Sequence, residues 1–109
     1  MMKHENADSL ANTLRELWQV EQNISIINKD IFETKRKLWI AKDEYRTETT
    51  LWMRDNSKSL REGSWMIPTD TLMQAYNKVY EAQDLLSAMK IRLDINQKAQ
   101  ERLKEDLGL

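Results

Sequence analysis

The sequence predicts an all-α fold: a long antiparallel helical hairpin, coiled-coil-like, dimerising into a four-helix bundle. Three observations predict it. Over 109 residues there are two Gly and one Pro, so little interrupts regular backbone, while the abundant Leu, Ala, Glu, Lys, Gln and Arg favour helix. Apolar residues recur every seven positions in both halves. Gly63 and Pro68 bracket one short central segment, where the chain can turn.

The first helix is expected near residues 9–62. Leu10, Leu17, Ile24, Ile31, Leu38, Tyr45 and Trp52 share one heptad position. Three residues after the first five of these come Thr13, Val20, Ile27, Thr34 and Ala41. Such a helix would be on the order of 80 Å long at ~1.5 Å per residue. Asp8 is the expected N-cap and Gly63 the expected stop. Residues 46–59, with Thr47, Thr49, Thr50, Asn56 and Ser57, are poor helix formers. A kink is therefore admitted over 46–57.

The turn is expected over 63–69 and the second helix over about 70–107. Pro68 followed by Thr69 or Asp70 signals its start, and Gly108 its stop. Its seam reads Leu72, Val79, Leu86, Leu93 and Leu107, with Ala75, Ala82, Met89, Asn96 and Leu103 at the second position. Small Ala75 and Ala82 would allow another helix close, and Asn96 is placed to fix register. Residues 1–109 thus read as a single helical domain.

Two helices joined by so short a turn pack antiparallel. If residue 62 faces residue 70, Leu107 lies opposite Ser25, and residues 10–24 have no partner in their own chain. Leu10, Leu14, Leu17 and Trp18 would then need one. A second stripe, Trp18, Phe32 and Trp39, lies about 100° from the first on the helical wheel. A single hairpin cannot cover both, so a homodimer is expected. The rival is a three-helix monomer in which the first helix breaks near 46–57 and folds back.

The residues for catalysis are sparse. His4 is the only His and there is no Cys, which excludes disulfides, thiolate metal sites and Cys nucleophiles. No Glu-x-x-His motif and no Gly-rich phosphate loop occur. The chain is expected to be no enzyme and to use neither cofactor nor metal. Mean hydropathy is −0.74 and no apolar run has membrane-spanning length. A cytoplasmic protein without a membrane role is expected.

Net charge is −1, but residues 29–61 hold 9 basic and 6 acidic residues. Lys35, Arg36, Lys37, Lys42 and Arg46 lie in that run beside Trp39. Clustered cations neutralise phosphates and exposed aromatics stack on bases, so a nucleic-acid-binding dimer is one reading. The opposing reading is a solvated face, its charges balanced by Asp30, Glu33, Asp43, Glu44, Glu48 and Asp55 at helix-pairing distances.

The turn itself reads Glu-Gly-Ser-Trp-Met-Ile-Pro-Thr, with three large apolar residues in its middle. Trp65, Met66 and Ile67 either fold over the end of the hairpin or present an anchor to another protein. Their burial is worth roughly 5–8 kcal/mol before ordering costs. The expected function is a non-enzymatic interaction module: a small adaptor, regulator or inhibitor, including a phage-type inhibitor, of a larger protein. A structural spacer or scaffold is a further alternative.

Overall fold

The computed structural model describes residues 7–61, 63 and 68–109, the side chain of residue 60 excepted. It is all-helical among these residues: α1 spans Ala7–Asp55, α2 Ser57–Arg61 and α3 Asp70–Asp106. Ala7 and Asp8 are already helical, so Asp8 is not the N-cap. Its carboxylate lies in the first turn, where it complements the positive end of the helix dipole.

α1 stops inside the stretch of weak helix formers. Asn56 is a turn residue, and its backbone N and side-chain Nδ2 both donate to the Trp52 carbonyl, at 3.0 and 2.8 Å. Asn competes in this way with the helix's own hydrogen bonding, which is why it favours breaks and caps. α2 has only five residues, too few for the third long helix of a three-helix monomer. Gly63 has φ +72°, a left-handed conformation that a Cβ disfavours.

Both ends of α3 are capped. The Thr69 hydroxyl accepts a hydrogen bond from the Leu72 N–H at 3.2 Å, as an N-cap does for the third helical residue. At the other end Gly108 has φ +74°. Its N–H donates to the Glu105 carbonyl, and that of Leu109 to the Lys104 carbonyl at 2.8 Å. This is the Schellman arrangement, which satisfies carbonyls that the helix leaves free.

The described residues group into two compact units. One holds the described residues up to Phe32 together with Ser87–Leu109, the other Glu33–Leu86. In the first unit the buried side chains are Thr13, Leu17, Ile27, Ile31 and Leu103. The Thr13 hydroxyl is satisfied by the Ser9 carbonyl at 3.1 Å. In the second unit the buried set is Thr34, Ala41, Leu72 and Ala75. These are heptad positions, and every seam position from Leu10 to Trp52 and from Leu72 to Leu107 is at least half-buried. The seam is narrow: no large side chain among the described residues falls below 2% exposure.

The register differs from the expected one. Within the second unit Glu44 meets Lys78 at 3.4 Å, whereas a turn closing between 62 and 70 would put residue 88 opposite it. Tyr45 likewise meets Tyr76. The cause is the break at Asn56: the chain after it belongs to the connection, so pairing starts about three turns earlier on α1. More of α3 then remains for the first unit. Residues 10–24 accordingly share that unit with 87–109, and Leu17 is 7% exposed. Leu14 and Trp18 in the same stretch remain 49% and 62% exposed.

Candidate functional site

The second unit presents two chemically different sides, one on either side of the contacts that α1 makes with α3 at Glu44–Lys78 and Tyr45–Tyr76. On one side lies an apolar groove of about 340 Å³. Its floor is Ile40, Ala41, Ala82 and Leu85, and its rim carries Lys37, Glu44, Lys78 and Glu81. Ala41 and Ala82 leave the floor low. Ile40 and Leu85 remain 43% and 48% exposed. Glu44 and Lys78 pair with each other, while Lys37 and Glu81 have no ion-pair partner among the described residues.

On the other side, Trp39 stands 70% exposed. Lys35 and Lys42 lie four residues before and three after it, Arg36 three before and Arg46 seven after. Together these positions cover an arc of about 120° on α1. The facing edge of α3 supplies Tyr76 and Tyr80, 47% and 56% exposed. Between the helices a hollow of about 400 Å³ is lined by Lys42, Tyr45, Arg46, Thr49, Thr50 and Val79. Thr50 donates to the Arg46 carbonyl at 2.9 Å. The Thr49 hydroxyl is buried without a hydrogen-bond partner among the described residues.

The cations here are not balanced in the way expected from the sequence. Neither Lys35 nor Lys42 has an acidic residue three or four positions away, and helical ion pairs form at those spacings. Among the described residues none of Lys35, Arg36, Lys42 and Arg46 makes an ion pair. Lys37 points to the groove side instead, so the run Lys35-Arg36-Lys37 is divided between two sides.

The remaining candidates fall as follows. In the first unit Leu10 is half-buried and Leu17 buried. Leu14, Trp18 and Phe32 are exposed, at 49%, 62% and 72%. Trp65, Met66 and Ile67 lie outside the described residues, as does His4. Sequence reasoning missed Ile40, Leu85, Tyr76 and Tyr80. A full heptad count, extended beyond the seam positions, would have placed all four off the seam.

Among the described residues no group of three or more His, Cys, Asp or Glu is placed to hold a metal ion. No helix there is long and apolar enough to cross a membrane. Comparison with family models, curated proteins and solved structures gives no match.

Proposed function

We propose that the chain is a non-enzymatic protein–protein interaction module: an antiparallel helical hairpin that self-associates and acts on a larger protein as adaptor, regulator or inhibitor. The observation that carries this reading is the groove on the second unit. Its floor is apolar and its rim holds both signs of charge. Lys37 and Glu81, without an ion pair among the described residues, leave one cation and one anion on the same rim. A two-fold axis over the groove would pair Lys37 of each copy with Glu81 of the other, twice, and cover Ile40 and Leu85. An isologous interface needs such self-complementarity, and four helices meeting this way form a bundle.

The exposed Trp18 and Phe32 in the first unit support a further surface for a larger protein. Trp is strongly enriched among residues that dominate binding energy, and these two large aromatics leave 62% and 72% of their surface in solvent.

Two experiments test the reading. Sedimentation should give twice the 13.0 kDa chain mass, with Leu85→Asp shifting the chain toward monomer. A tagged chain should recover a specific protein from nuclease-treated lysate, and Trp18→Ala/Phe32→Ala should lose it. A wild-type chain that is monomeric at every concentration would remove the self-association. Equal recovery by the double variant would remove the aromatic surface.

A further inference from the structure

We propose that the Trp39 side of the second unit binds single-stranded nucleic acid. Single strands are held by cations that follow the phosphates and by aromatic faces on which bases stack. Both occur here on one side of one unit. Lys35, Arg36, Lys42 and Arg46 provide four cations without an internal ion pair among the described residues. Trp39 stands between them with most of its surface in solvent.

The opposite wall has the same character. Tyr76, which meets Tyr45, and Tyr80, one turn on, are half-exposed on α3; their neighbours Met73 and Gln83 are uncharged, and Asp84 is the one acidic residue a turn beyond Tyr80. Asp43 is the one acidic residue on the α1 arc. Favourable phosphate contact therefore meets little opposing charge, in contrast to the groove side, where Glu44 and Glu81 offset Lys37 and Lys78. The hollow of about 400 Å³ between Tyr45, Val79, Lys42 and Arg46 opens beside these cations, and the Thr49 hydroxyl, unpartnered among the described residues, lies in its wall.

The alternatives fit less well. A membrane-surface helix immerses a broad apolar face, and here one indole stands among four cations. A duplex would present its phosphates but keep its base faces stacked, leaving Trp39 and Tyr80 without contacts. An acidic peptide would likewise answer the cations alone.

The probe is a fluorescein-labelled single-stranded DNA of about 20 mixed nucleotides, followed by anisotropy with the full chain. Saturable binding is expected at about 50 mM salt, with affinity falling as salt rises. Lys35→Gln/Lys42→Gln should lower the log–log salt slope by about 1.4, at ~0.7 per phosphate contact. Trp39→Ala should weaken binding roughly tenfold while Trp39→Phe retains most of it. Arg102→Glu, in the first unit, should bind as wild type, and circular dichroism should report unchanged helix for all four. No binding at low salt would overturn the proposal, as would a Lys double variant that binds like wild type. Equal affinity for polyglutamate, for duplex DNA or for phosphatidylglycerol vesicles would overturn it too.

Discussion

Tyr45 and Tyr76 meet edge to face, their ring centroids 5.7 Å apart and their planes at 65°. This contact and the adjacent Glu44–Lys78 pair set the register of the second unit, but they do so unequally. The ion pair joins side chains 50% and 63% exposed, and exposed pairs contribute about 0–1 kcal/mol. An aromatic edge contact contributes about 0.5–1.5 kcal/mol beyond its burial. Tyr76→Ala should therefore destabilise by about 1 kcal/mol or more in urea unfolding, and Lys78→Ala by about 0.5 kcal/mol or less. Equal effects would mean that charge carries the register.

Seam and off-seam residues should respond differently. Ile27 is 4% exposed and Trp18 62%. Ile27→Ala should cost about 2 kcal/mol or more through lost burial and a residual cavity. Trp18→Ala should change the stability of the isolated chain by about 0.5 kcal/mol or less. Denaturant midpoints of the two variants check this. A large loss from Trp18→Ala under monomeric conditions would show that the indole packs within the chain.

The ends of α3 allow two further substitutions. Thr69→Ala removes the acceptor of the Leu72 N–H and should cost about 1 kcal/mol. At Gly108 a Cβ would meet nothing within 4 Å, so Gly108→Ala tests the left-handed backbone alone. The expected cost is about 1 kcal/mol, read as a lower Tm with faster amide exchange in the last turn.

The break at Asn56 makes its own prediction. Ala is the strongest helix former, and Asn56→Ala also removes the side chain that donates to the Trp52 carbonyl. The variant should join α1 to α2, raising the helical circular-dichroism signal and amide protection over residues 56–61. Unchanged protection there would mean that something other than Asn56 ends α1.

Much of the architecture was legible in the sequence, since heptad spacing depends only on which residues are apolar. Leu17, Ile27 and Leu103 were placed on the seam from spacing alone. The stop at Gly108 and the start at Pro68-Thr69 follow from backbone conformations that few residues favour. The register was not legible. It depends on where α1 ends, and the weak formers from Thr47 to Ser57 spread that end over several residues. Once Asn56 ends the helix, every pair across the seam shifts. The two sides of the second unit were hidden for a related reason. A charge run in sequence does not show which cations share a face, although the lack of acidic neighbours around Lys35 and Lys42 was there to be read.

If the groove bounded by Lys37 and Glu81 is the self-complementary interface proposed above, its charges should be exchangeable. The most direct test is equilibrium sedimentation of the wild type, Lys37→Glu, and the exchanged Lys37→Glu/Glu81→Lys chain. The wild type should be a dimer, the single variant should shift toward monomer, and the exchanged chain should dimerise again. A wild-type chain that stays at 13.0 kDa throughout, or a single variant that dimerises as well as wild type, would contradict it.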